Sequence, residues 1–215
     1  MTDARFTVRA ASIVALLASL YVGAQILSDV ASLKLAEIGG MAIDGGTLIY
    51  PLTFTLRDLV HKTAGKQVAR LLIVIAAGIN LFMAVLFWAV DRLPLVPQSG
   101  PQSELFGKVL GPVWRIVLAS IIAEVVSELV DTEVYSMWAR RFGERLQWGR
   151  VLASNSVSVP LDSVLFVVIA FAGRVSGTVV RQIIVTNILV KGLVTVVSIP
   201  LIYAVRPRAV VVDDA

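Results

Sequence analysis

The chain contains no cysteine. Disulfides, thiolate metal sites and a cysteine nucleophile are therefore excluded. Its sole histidine is His61, which excludes a multi-histidine zinc site. No Walker sequence is present, so the chain cannot hydrolyse ATP by itself. Charge is also scarce: only 16% of the 215 residues are Asp, Glu, Lys or Arg, while 57% are hydrophobic. A soluble domain is nearer a quarter charged. The scarcity is local, because residues 10–28, 71–90 and 183–190 carry no charge at all.

Those runs decide the fold class. A helix needs roughly 20 apolar residues to cross the hydrocarbon core of a bilayer. The chain supplies about six crossings and leaves no room for a separate soluble domain. The expectation is an all-α integral membrane protein forming one membrane domain over 1–215. Its six transmembrane helices are placed at about 10–34, 47–60, 68–90, 113–141, 151–172 and 178–203. Pro51, Pro160 and Pro200 fall inside helices, where a freed carbonyl permits a bend. The stretch Gly39 to Gly46 is Gly-rich, and Arg92 to Pro112 reads as a surface loop. Arg5 and Arg9 precede an apolar run as in a signal peptide. No clear small-residue cleavage site follows before Gln25, so the first helix is read as retained.

Basic residues set the expected orientation. Arg5, Arg9, Arg57, Lys62, Lys66, Arg70, Arg140, Arg141, Arg145, Arg150, Arg206 and Arg208 fall at one set of helix ends. Lys34, Arg92, Lys108, Arg115, Arg174 and Arg181 fall at the other. The first set is larger and clustered, which places both termini in the cytoplasm and the protein in the cell (inner) membrane. The net charge of +4 reflects these anchors and does not imply nucleic acid.

Ionisable groups at membrane depth are costly and face a cavity or each other. In the helix at 113–141, Ser120, Glu124, Ser127, Glu128, Asp131, Tyr135 and Trp138 share one stripe at 100° per residue, and Glu133 faces away. Asn155, Ser158, Asp162 and Phe166 share a face of the next helix. Asn187, Lys191, Thr195 and Ser198 share a face of the last. Tyr21, Gln25, Ser28, Asp29 and Ser32 line the first helix, and Tyr50, Phe54, Arg57 and His61 the second. Lys191 lies too deep to snorkel, so a carboxylate is expected beside it, either Asp162 or one from the 113–141 helix. The bland alternative is an ion pair between Asp162 and Lys191 with Ser and Asn as interhelical glue.

Several stretches together resemble a known family. They are KLAEI at 34–38, YPLTFTLRDLV at 50–60, SELVDTEVYSMWARRFG at 127–143, SNSVSVPLDSVLFVVIAFAG at 154–173 and NILVKGLVTVVSIPLIY at 187–203. The chain resembles the queuosine precursor transporters, the VUT group of vitamin uptake transporters. The resemblance implies six helices, similar in shape to the substrate-binding components of energy-coupling-factor transporters. It also implies import of 7-deazaguanine precursors of queuosine, such as 7-cyano-7-deazaguanine. Lys62 and Ala64 stand where the family usually has Glu and Tyr, and Asp29 where it often has Asn.

A guanine-type edge presents neighbouring N–H donors that one carboxylate accepts. An amide or hydroxyl serves the carbonyl, and an aromatic ring covers the face. Asp162 or Glu128, Asn155 or Asn187, and Trp138 or Phe166 are the candidates for those roles. Glu124, Asp131 and Lys191 complete the expected substrate-binding set. The expected partners are a purine-like base and the lipid bilayer, with a homo-oligomer or an energising module left open, and no nucleic acid. No cofactor and no catalysis are expected. Two alternatives stand beside this reading: the binding component of an ATP-driven vitamin importer for another small solute, and an intramembrane enzyme with a carboxylate site.

Overall fold

In hydrocarbon every backbone N–H and C=O must find its partner within the chain, so an apolar run that crosses a bilayer coils into a helix. The computed structural model describes residues 2–96, 100–142 and 147–204. Its helices are α1 (Thr2–Ala31), α2 (Tyr50–Ala64), α3 (Lys66–Asp91), α4 (Pro101–Leu110), α5 (Val113–Phe142), α6 (Gln147–Phe171) and α7 (Gly177–Ala204). Among the described residues, five segments are long and apolar enough to cross a bilayer: Ala11–Ala31, Gln67–Asp91, Pro101–Asp131, Leu152–Phe171 and Gly177–Val197. Helix α2 is shorter, at 15 residues. A 3-10 turn over Gly45–Leu48 leads into it. The molecule is an all-α, multi-pass membrane protein.

Three segments depart from expectation. The Gly-rich stretch is a β-hairpin of β1 (Leu35–Ile38) and β2 (Met41–Asp44), antiparallel, with Ile38 opposite Met41. Gly39 and Gly40 have φ of 60° and 79°, as a two-residue primed turn demands. The hairpin is held against α7. The Ala42 amide donates to Gln182 Oε1 at 3.4 Å, and the Thr186 hydroxyl lies 2.7 Å from the Ala42 carbonyl. The segment expected as a loop over 92–112 contains α4. Pro101 sits in its first turn, where a missing N–H costs nothing, and Glu104 and Lys108 complement the two ends of its dipole. Phe106 of α4 meets Phe87 of α3 edge to face, with centroids 5.9 Å apart. Finally, α2 begins at Tyr50, so Pro51 lies in its first turn and not in its interior.

Packing follows the small residues. Ala119 and Ala123, one turn apart on α5, are fully buried against Phe166, Val167 and Ala170 of α6 and Ile183 of α7. Small side chains there let the helix backbones approach, the usual basis of helix association in lipid. A second cluster joins Tyr21 and Ala24 of α1 to Leu56 and Val60 of α2 and to Ala69, Leu72 and Ala76 of α3. Outward positions such as Leu71, Val74, Phe82, Leu129, Leu193 and Val197 are exposed and apolar. Polar residues are instead drawn inward, the arrangement a lipid solvent favours. The end of α6 is capped by Arg115 of α5. Its guanidinium donates to the carbonyls of Ile169 at 2.6 Å and Ala172 at 2.7 Å, which the helix itself cannot satisfy.

Candidate substrate cavity

Lys191 and Asn187 lie one turn apart on α7 and so project to the same side. Both are buried. The Lys191 ammonium donates to Asp162 Oδ2 of α6, with each side chain only 3% exposed. The ammonium also lies 4.6 Å from the ring centre of Tyr50 and 6.0 Å from that of Phe166. Cation–π attraction is strongest where water is excluded, as it is here. Asp162 Oδ1 faces the Ser127 hydroxyl of α5 at 3.4 Å. Four helices thus converge on one ion pair.

The pair stands between two cavities. The first, on the hairpin side, is lined by Ser28, Asp29 and Ser32 of α1, Asp44, Gly46 and Thr47 of the hairpin–turn segment, and Tyr50, Ser120, Phe166, Asn187 and Lys191. It has room for about one water molecule. The second lies toward the start of α6 and is lined by Phe54, Arg57, Ser127, Asp131, Asn155, Ser158, Val159 and Asp162.

Asp44 organises the first cavity. It caps the 3-10 turn, accepting from the Thr47 amide at 3.2 Å, the Thr47 hydroxyl at 2.6 Å and the Ser32 hydroxyl at 2.8 Å. Thr47 Oγ1 also touches the side-chain amide of Asn187. A hydroxyl has one proton and the contact is with Asn187 Oδ1, so Thr47 lies between two acceptors and donates to the stronger, the Asp44 carboxylate. Gly46 makes this closeness possible. A Cβ there would lie 2.6 Å from the Ser28 carbonyl and would run into the Ser32 hydroxyl.

The expected site residues separate into groups. Asp162, Phe166, Asn187 and Lys191 are brought together. Asn155 and Asp131 line the second cavity, where Ser158 donates to Asp131 Oδ1 at 3.1 Å. Glu124 turns toward α1: Tyr21 donates to its Oε1 at 2.9 Å and Gln25 to its Oε2 at 3.5 Å. Trp138 is half-buried farther along α5 and lines neither of these cavities. The Glu128 side chain lies outside the described residues, as do those of Tyr135 and His61. Sequence reasoning missed Asp44 and Thr47. Their signal was an Asp three residues before a Thr across a Gly-Gly pair, the spacing of a capped turn. Among the described residues no group of three or more His, Asp or Glu is placed to hold a metal ion.

Residues 44–205 match the family described as "Putative vitamin uptake transporter". The chain belongs to this family. The matched span begins at Asp44 and takes in the 3-10 turn, the Asp162–Lys191 pair and Asn187, whereas Ser28, Asp29 and Ser32 precede it. The chain is also 27% identical over 185 residues to the "Probable queuosine precursor transporter" of Bacillus subtilis (strain 168), covering 85% of this chain and 80% of that protein. No solved structure matches the chain.

Proposed function

We propose that this protein imports a purine-like queuosine precursor of the 7-deazaguanine type across the cell membrane, with both termini cytoplasmic. It acts as a single membrane domain and not as an enzyme. The observation that carries the reading is the buried Asp162–Lys191 pair, flanked by the Tyr50 and Phe166 rings and bordered by a cavity on each side. A static pair gains little from burial, since desolvation offsets the attraction. A pair at the centre of a polar passage has another use, because a ligand can exchange with one partner for the other.

In this reading the base lies against Phe166 or Tyr50. Its adjacent N–H donors replace the ammonium on Asp162, and an amide, from Asn187 or from Asn155, meets its carbonyl. Lys191 is then free to meet an acceptor atom of the ring. Glu124, Glu128, Asp131 and Trp138 belong to the surrounding polar passage. Membership of an uptake family and the likeness to the Bacillus subtilis protein support the choice of ligand.

The test is uptake of labelled 7-cyano-7-deazaguanine by cells that lack its synthesis, read as queuosine in their tRNA. The wild-type chain is expected to restore it. Asp162→Asn, expressed and inserted normally, is expected to lower uptake about tenfold to a hundredfold, the loss of one charge-assisted hydrogen bond. Unchanged uptake by that variant removes Asp162 from the site.

A further inference from the structure

We propose that the first cavity holds a monovalent cation, sodium in size and chemistry, between the end of α1, the 3-10 turn and α7. Several of the residues around it present acceptors. Ser28 spends its proton on the Gly46 carbonyl at 3.2 Å, and Ser32 and Thr47 spend theirs on Asp44. Each of these three hydroxyls therefore offers the cavity only lone pairs.

Asp29 supplies the independent observation. It is 1% exposed, it lines this cavity beside Ser120, and its Oδ2 has no hydrogen-bond partner among the described residues. A carboxylate oxygen buried without a partner is costly, and a cation is what it lacks.

Charge and size agree with this. Asp29, Asp44, Glu124 and Asp162 are all buried, against the single buried base Lys191 among the described residues. Lys191 also lines the cavity, but its ammonium is committed to Asp162, and Asp44 is met by three donors, which leaves Asp29 Oδ2 as the place for a single positive charge. Ser28 and Asp29 stand in the last turn of α1, at the negative end of its dipole. The space for one water molecule suits one small ion and excludes an organic ligand. One open carboxylate oxygen among hydroxyl oxygens is a hard, low-charge ligand set, with fewer carboxylates than a calcium site usually offers. Helix ends and broken backbone are where transporters hold coupling ions. Use of this ion to drive import rests on the transport reading, whereas its binding does not.

Binding is tested on the purified full-length protein in detergent, without any base present. Its Tm is measured against increasing NaCl, with KCl and choline chloride as replacements at constant ionic strength. A saturable rise of a few degrees is expected with sodium and not with choline. Asp29→Asn and Thr47→Val are expected to abolish the sodium-specific rise, and Glu104→Gln on the exposed face of α4 to retain it. Identical curves for the three salts in the wild type overturn the proposal, even if neither site variant folds. So does a sodium response that survives Asp29→Asn, or stabilisation by acid alone, which means that Asp29 takes a proton. Failure of a 7-deazaguanine base to stabilise the protein bears on the transport reading only and leaves the sodium result standing.

Discussion

At the scale of single residues, Lys191 shows how a buried charge behaves when its surroundings are fixed by four helices. The ammonium cannot reach either membrane surface from the middle of α7, so its free energy depends on Asp162 and on the two rings beside it. Removing one member strands the other in a low dielectric, which typically costs about 3–5 kcal/mol. Lys191→Met is therefore expected to lower stability by about that amount in detergent. Combining it with Asp162→Asn should recover much of the loss, because no stranded charge remains. Additive losses in the double variant, measured by Tm, would show that the two side chains act independently. The sequence already confined the partner of Lys191 to a short set of acids. The choice among them depended on how α5, α6 and α7 rotate against each other. Ala119 and Ala123 set that rotation by letting α5 sit close to α6, a packing detail that helical periodicity cannot resolve.

At the scale of elements, the long helices were legible because lipid leaves an apolar run no alternative. The shorter pieces were not. Residues 35–44 carry an apolar pattern too short to separate strand from loop, and the Gly-Gly turn was the decisive signal. Residues 101–110 looked like loop because of Pro and Gly. Yet Pro101 opens a helix whose stability comes from Phe87 and from its own end charges. The hairpin and the 3-10 turn matter most, since they carry Asp44 and Thr47 to the end of α1. The turn lies so close to α1 that position 46 tolerates no side chain. Gly46→Ala must push the backbone away from Ser28 and Ser32. We expect a loss of about 1–3 kcal/mol, the usual cost of overpacking, seen as a lower Tm. We also expect a weaker response to sodium. A variant as stable as the wild type would mean that the turn can shift freely.

At the scale of the whole molecule, the sequence puts more basic residues at one set of expected helix ends than at the other. Arg5 and Arg9 near the start of α1, Arg57 and Lys62 in the second half of α2, Lys66 and Arg70 at the start of α3, Arg140 and Arg141 at the end of α5 and Arg150 at the start of α6 form the larger set, and Lys34, Arg92, Lys108, Arg115, Arg174 and Arg181 the smaller. The bias predicts that a reporter fused after Arg92–Pro101 reads outside and that one fused after Arg145 reads inside. The reverse pattern would invert the direction of transport drawn above. The first cavity constrains that transport further. Space for one water molecule cannot admit a bicyclic base, so a base that reaches Tyr50 or Phe166 needs the surrounding helices to part. A substrate then binds only the fraction of molecules that has opened. If about one molecule in a hundred is open, apparent affinity is about a hundredfold weaker than the intrinsic contacts allow. Uptake is thus expected to depend as much on how often the helices around Asp162 part as on how well their side chains fit the base.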